Sequence, residues 1–131
     1  NILITGAAGF IGYNLTKSLI ENKEIKVLGI DSLNNAYDNN LKKLRLKNLE
    51  NNENFVFSNI DLSNQDNFGG IQGSNFDCVI HLAARAGVRQ SFREPKQYIL
   101  DNTVSTTNLS GFVKKKRNSK IFNSIYFVYL W

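Results

Sequence analysis

The stretch "NILITGAAGFIG" sets three glycines, Gly6, Gly9 and Gly12, at three-residue intervals behind a short apolar run. Where such a pattern follows a strand and opens a helix, the first glycine permits a tight turn. The second lets the backbone reach a pyrophosphate with no Cβ in the way, and the third lets the helix lie close on the strand. The unpaired N–H groups at the helix start then face an anion. Asp31 is a second signal, nineteen residues after Gly12 at the end of the next apolar run, "IKVLGID". A carboxylate there accepts hydrogen bonds from an adenosine ribose and repels a 2′-phosphate, which points to NAD rather than NADP. The alternative for Asp31 is a structural role, capping the next turn.

These residues need a scaffold, and the hydrophobic periodicity describes one. Ile2 to Ile4 reads as a first strand. Ile11, Leu15 and Leu19 then recur every four residues, the mark of an amphipathic helix. "IKVLGID" is a second strand, almost continuously apolar and therefore buried on both faces. After the polar loop "SLNNAYDNN", a helix is expected from about Asp38 to Leu49, carrying Leu41, Leu44 and Leu49. "NFVFSNIDL" is a third strand and "FDCVIHLAA" a fourth, joined by a Gly-containing connection with at most a weak helix. From Pro95 a long helix runs to roughly Lys116, with Pro in its first turn where the missing N–H does no harm. "KIFNSIYFVYL" is a fifth strand. Strict alternation of strand and helix means parallel pairing with crossover helices on both faces. The expected fold is therefore α/β: a Rossmann-like, doubly wound parallel sheet in three α/β/α layers, about five strands, with a crevice at their carboxyl ends.

Composition excludes other function classes. The chain has 131 residues, 42% of them hydrophobic, which is a globular composition with room for a core. Sixteen Lys and Arg against eleven Asp and Glu give a net charge of +5. The one dense basic run, Lys114 to Arg117, ends a helical pattern and reads as a solvated face complementing the helix dipole. No aromatic platform or zinc spacing accompanies it, so nucleic acid is not the expected partner. The single Cys78 excludes an intrachain disulfide framework and fits a reducing compartment. It lies in a strand and reads as a small buried hydrophobe. His81, the single histidine, closes the same strand and reads as a hydrogen-bonded structural residue; no metal site is expected. No signal peptide is apparent, and the apolar tail from Ile121 to Trp131 is too short to span a bilayer. The matches "NLT" at Asn14 and "NLS" at Asn108 to a glycosylation signal read as chance. A cytoplasmic location with no membrane partner follows as the expectation.

The spacing of the glycines is GxxGxxG, and with "TGAAGFIG" the chain resembles the N-terminal part of extended short-chain dehydrogenase/reductases, in the NAD-dependent epimerase/dehydratase group. "GIDSLNNAYDNNLKKLRLKNL", "NIDLSN", "VIHLAARAGVRQSFREP" and "YILDNTVSTTNL" carry the likeness further along the chain. Within the group it is most similar to UDP-glucuronate 4-epimerases, with their "D-x-L-N-x-x-Y-D-x-x-L-K" segment and "AGVR" turn. UDP-glucose 4-epimerases and nucleotide-sugar 4,6-dehydratases share most of these features, and a non-catalytic nucleotide-binding module is the other alternative. The resemblance implies NAD as cofactor, held along its pyrophosphate by Gly6, Ala8, Gly9, Phe10, Ile11 and Gly12. It places Asp31 and Asn34 on the adenosine ribose, Asp61 and Leu62 on adenine, and Leu82, Ala83 and Ala84 beside the nicotinamide ribose, with Asn102 nearby. Arg89 in "AGVRQS" is a candidate for the substrate's diphosphate or carboxylate. It also implies a nucleotide-sugar substrate, polysaccharide biosynthesis and a homodimeric parent enzyme.

The catalytic part of that family pattern is missing. Complete enzymes use a tyrosine whose pKa a neighbouring lysine lowers, in a Tyr-x-x-x-Lys pair after the fifth strand, and a Ser or Thr hydroxyl. Here Ile125 stands at the hydroxyl position and no such pair follows it. "YNLTK", Tyr13 to Lys17, has the right spacing but lies on the first helix and is read as coincidence. The sequence is thus expected to be a fragment truncated at both ends, residues 1–131 forming the N-terminal part of an NAD-binding Rossmann domain. It lacks the sugar-nucleotide-binding region, and epimerase activity is not expected from it alone.

Overall fold

The computed structural model describes residues 1–35, 38–116 and 120–123. Strand β1 (Ile2–Thr5) is followed by α1 (Phe10–Leu19), β2 (Val27–Asp31), α2 (Asn39–Glu50) and β3 (Phe55–Asn59). A 3-10 helix at Gln65–Ile71 leads to β4 (Cys78–His81). Next come α3 (Val88–Arg93), α4 (Pro95–Tyr98), a π-helical segment (Ile99–Val104), α5 (Ser105–Lys114) and β5 (Lys120–Asn123). The expected long helix from Pro95 is therefore one continuous rod with a π segment in its middle. The short α3 before it has no counterpart in the periodicity reading.

All strands pair in parallel in the order β3-β2-β1-β4-β5. Successive β1 residues feed opposite faces, as the period of two requires. Leu3 belongs to a core with Ile30, Phe68, Ile71, Val79, Leu109 and Val113, under α5 and the 3-10 helix. Ile4 belongs to the other core, with Ala7, Ile20, Val27, Leu46, Leu49 and Phe55, under α1 and α2. The sheet is thus covered on both faces, the doubly wound arrangement read from the sequence. Strand order reverses between β1 and β4, so the connections leaving their adjacent carboxyl ends run to opposite faces of the sheet and leave a crevice.

Two helices turn differently from their apolar spacing. On α1 the face against the sheet is Gly12 and Thr16, both buried, while Ile11 is 50% exposed. Leu15 and Leu19 flank that face, half-buried. On α2 the inward residues are Lys42, Leu46 and Leu49, whereas Leu41 and Leu44 are exposed. Asp38 caps α2 by accepting from the Asn40 N–H at 2.8 Å. No helix among the described residues is long and apolar enough to cross a membrane.

The α1 rotation has a steric cause. A Cβ on Gly12 would stand 2.1 Å from the carbonyl oxygen of Gly6, so the helix presses on the turn through bare backbone. In an open helical site Gly→Ala stabilises by about 1 kcal/mol. Here Gly12→Ala reverses the sign and destabilises by about 1–3 kcal/mol, the ordinary cost of overpacking. Urea denaturation should show a lower midpoint with an unchanged slope. A midpoint at or above the parent's would mean that helix and turn are not in this contact.

Candidate functional site

The first wall of the crevice is the turn between β1 and α1. Gly6 has φ +72°, a left-handed conformation that glycine adopts without strain, and its missing Cβ would sit 2.8 Å from the Ala83 nitrogen. The turn after β1 therefore lies directly against the loop after β4. Gly9 precedes α1, and its N–H donates to the Gly6 carbonyl at 2.9 Å. A Cβ there would meet that carbonyl alone, at 3.0 Å, with open space otherwise. No side chain caps α1 and no acidic residue sits in its first turn, so the helix start offers its N–H groups and dipole to an outside anion. Arg45 on α2 braces the turn by donating to the Ala8 carbonyl at 3.1 Å, with its guanidinium 5.8 Å from the Phe10 ring centroid.

The second wall is the end of β2. Asp31 is 8% exposed; its Oδ1 accepts from Leu33 N at 2.9 Å and its Oδ2 from Ala8 N at 3.3 Å. It thus caps the following turn, the structural role weighed for it, and also lines the crevice. Leu33 takes φ +51° in that turn. Lys42 reaches over from α2 and donates to both the backbone and side-chain oxygens of Asn34, at 3.0 and 3.1 Å, with Nζ 3.6 Å from Asp31 Oδ1. Beyond β3, Asp61 Oδ1 accepts from Ser63 N at 2.9 Å. The Asn108 amide on α5 donates to the carbonyls of Leu62 and Ser63 at 2.9 and 3.0 Å, which holds this loop from below. Asn108 is buried, so its sequence match to a glycosylation signal is a packing residue.

The third wall is the loop after β4. Thr5 Oγ1 accepts from the N–H groups of Leu82 and Ala83, both at 3.2 Å, and lies 2.6 Å from His81 Nδ1. His81 Nε2 lies 2.9 Å from Thr106 Oγ1, and that hydroxyl donates to the Asn102 carbonyl. Directions follow: Thr5 donates to Nδ1, Nε2–H donates to Thr106, and the imidazole is neutral. Burial pushes the His81 pKa down to about 4. The rod from Pro95 then straps the next three residues. Asn102 accepts from Arg85 N at 2.7 Å and donates to Arg85 O at 3.1 Å. Asp101 accepts from Arg85 Nε at 2.6 Å, and the Tyr98 hydroxyl points at the carbonyls of Ala86 and Gly87, each at 2.8 Å. Two of these side chains, Asp101 and Asn102, come from the π segment, whose wider turn is often found at functional sites.

The three walls line one open cleft. Of the residues expected at a cofactor, Gly6, Gly9, Asp31, Asn34, Asp61, Leu62, Leu82, Ala83 and Ala84 line it. Ala8 and Gly12 are buried beneath it, and Phe10 and Ile11 project from the helix start, 70% and 50% exposed. Asn102 does not line the cleft; both ends of its amide are engaged by the Arg85 backbone. Arg89 is exposed on α3 and does not line it either. Tyr13 packs on the core and Lys17 is exposed, so that pair shares a helix without sharing a site. Ile125 lies outside the described residues. Lys42, Arg85, Asp101 and Ser105 line the cleft without having been singled out from the sequence. For Lys42 a signal existed: 42, 46 and 49 follow the i, i+4, i+7 spacing of one helix face. No group of three or more His, Cys, Asp or Glu side chains suited to a metal occurs among the described residues.

Comparison with known proteins agrees with this geometry. The profile of the GDP-mannose 4,6-dehydratase family matches residues 3–128. The chain is 44% identical over 113 residues to a UDP-glucuronate 4-epimerase of Thermodesulfobacterium geofontis, covering 86% of this chain and 35% of that protein. It is 41% identical over 126 residues to protein CapI of Staphylococcus aureus, covering 95% and 36%. Among solved structures, UDP-glucuronic acid 4-epimerase from Bacillus cereus in complex with UDP-glucuronic acid and NAD superposes with a TM-score of 0.83 at 36% identity, covering 93% of this chain and 38% of that one. The chain therefore spans little more than a third of the length of these relatives.

The neutral, buried His81 makes stability depend on pH in a definite direction. Its folded pKa of about 4 lies below the ordinary value of 6.5, so between those values the unfolded chain binds a proton that the folded chain does not. Stability therefore falls as pH drops through that window, by up to about 3 kcal/mol from this residue. Urea midpoints measured from pH 7 down to 5, before most carboxylates titrate, should decline in the parent and decline less in His81→Gln. Equal slopes would show that His81 is not held neutral.

Proposed function

The chain belongs to the GDP-mannose 4,6-dehydratase family, within the NAD-dependent epimerase/dehydratase superfamily, and from that membership we propose that its cleft binds NAD as part of a nucleotide-sugar 4-epimerase of the UDP-glucuronate type. One observation carries the reading: an uncapped helix start behind a glycine turn and a carboxylate at the end of the adjacent strand open into the same cleft. A dinucleotide needs those two features together, one for its phosphates and one for its adenosine ribose. The epimerase relatives, and the NAD and UDP-glucuronic acid held by the Bacillus cereus enzyme, favour this chemistry over the other reactions of the superfamily.

Bound in the cleft, NAD would supply reversible oxidation at C4 of the sugar. This chain's own part is binding and orientation. The backbone of Gly6, Gly9, Phe10 and Ile11 faces the pyrophosphate, with Gly9 leaving the space that it needs. Asp31 and Asn34 receive the adenosine ribose, and Asp61 and Leu62 receive adenine. Leu82, Ala83 and Ala84 flank the nicotinamide ribose on a loop whose N–H groups Thr5 orients. Asn102 acts through that loop, by fixing the Arg85 peptide groups. None of the described residues lining the cleft is a tyrosine or histidine, so no proton transfer at the sugar is assigned to them.

Calorimetric titration with NAD tests the proposal. The parent chain should bind NAD and Gly9→Val should not. Gly9 has φ −68° and ψ 167°, an extended conformation that valine adopts readily, so this variant should fold. Equal affinity in the two proteins would remove the glycine turn from the binding site.

A further inference from the structure

The residue that stands out at the ribose end of the cleft is Lys42. It is 4% exposed, and a lysine is rarely buried so deeply without partners. It lines the cleft together with Asp31 and Asn34. It donates hydrogen bonds to the two oxygens of Asn34, and Asp31 Oδ1 lies 3.6 Å from Nζ, beyond a tight hydrogen bond. Asp31 is separately fixed by the N–H groups of Leu33 and Ala8. Lysine and aspartate therefore share a place and balance each other's charge, yet each has its own anchors. Arg85 is the other cation lining the cleft among the described residues, and it is ion-paired with Asp101 and Glu94 at the loop after β4.

We propose that Lys42 forms a latent binding site for a ribose 2′-phosphate, which Asp31 keeps closed. The inference rests on the NAD reading and extends it. A ribose hydroxyl beside Asp31 donates to the carboxylate, whereas a phosphate in its place meets like charge. The ammonium group stands in the same corner, with its charge offset by Asp31. If the carboxylate is replaced by an amide of the same shape, the repulsion disappears and an ammonium suited to phosphate is left in the wall of the ribose pocket. Choice of dinucleotide in this chain is thus set by two residues on different elements, the end of β2 and the inner face of α2.

The test is calorimetric titration of NAD and NADP into three proteins: the parent, Asp31→Asn, and Asp31→Asn combined with Lys42→Met. Asn at 31 keeps an acceptor for Leu33 and gives up the longer bond from Ala8 N, while Lys42 keeps Asn34. The double variant leaves no charge unpaired. Asp31→Asn should bind NADP about tenfold or more tightly than the parent does. The double variant should lose that gain while binding NAD as the single variant does. A single variant that binds NAD with no gain for NADP overturns the proposal. So does a gain that survives Lys42→Met, because relief of repulsion alone would then account for it. Should Asp31→Asn unfold, Asp31→Ser and Asp31→Ser combined with Lys42→Met take the place of the two variants: the single one should gain affinity for NADP and the double one should lose that gain, and a gain that survives Lys42→Met refutes the site. A parent that binds neither dinucleotide defeats the NAD reading and this proposal with it, an outcome distinct from the others.

Discussion

Backbone packs on backbone where the turn after β1 meets α1 on one side and the loop after β4 on the other. Gly12 lies against the Gly6 carbonyl, and Gly6 lies against the peptide of Leu82 and Ala83, with no room for a Cβ at either glycine. Much else is geometrically tied to this contact. It sets the rotation of α1, so that Gly12 and Thr16 face the sheet and the first turn points out of it. It also brings the ends of β1 and β4 together at the reversal of strand order, the place where an open parallel sheet leaves space for a ligand.

Around this contact, side-chain hydrogen bonds do for the loops what ladder bonds do for the strands. A loop at the carboxyl end of a strand has peptide groups with no ladder partner, and buried ones must find another. Thr5 serves Leu82 and Ala83, Asn102 serves Arg85, and Asn108 serves Leu62 and Ser63. Asn102 and Asn108 stand on the rod that begins at Pro95, so one element holds the loops after both β3 and β4. His81 connects the systems, with one ring nitrogen on β1's threonine and the other on the rod's. The cleft walls are thus held by polar bonds, and the surface they turn to the cleft mixes apolar residues such as Leu82 and Ala83 with charged ones such as Asp31 and Arg85.

Charge is distributed along the cleft with the same economy. The helix start carries no acidic residue to neutralise it, which leaves its dipole for a ligand. The ribose end pairs a carboxylate with an ammonium, and the loop after β4 pairs Arg85 with two carboxylates. Both ends of the cleft therefore contain paired charges, and the middle contains the open dipole. A molecule with anionic phosphates between two neutral sugars matches that order.

The strand and helix alternation, the glycine turn and Asp31 were legible in the sequence because each is local. Periodicity reports which way a chain segment coils, and glycine reports where a Cβ is forbidden. Large apolar residues alone misplaced the buried faces of two helices. On α1 the inward face is made of small residues, which permit close approach, and on α2 it includes a lysine. Nothing in the spacing showed the π segment or the short α3, which depend on how the loop after β4 packs against the rod. Asn102 looked like a cofactor contact by resemblance, and its amide proved to be engaged by a loop seventeen residues away in sequence. The sequence by itself determined the class of fold and the glycine turn, because these follow from steric rules between near neighbours. The tertiary structure alone decided which side chains face the cleft and which hold its walls, because hydrogen bonds and charge pairs form between segments that chain order keeps far apart.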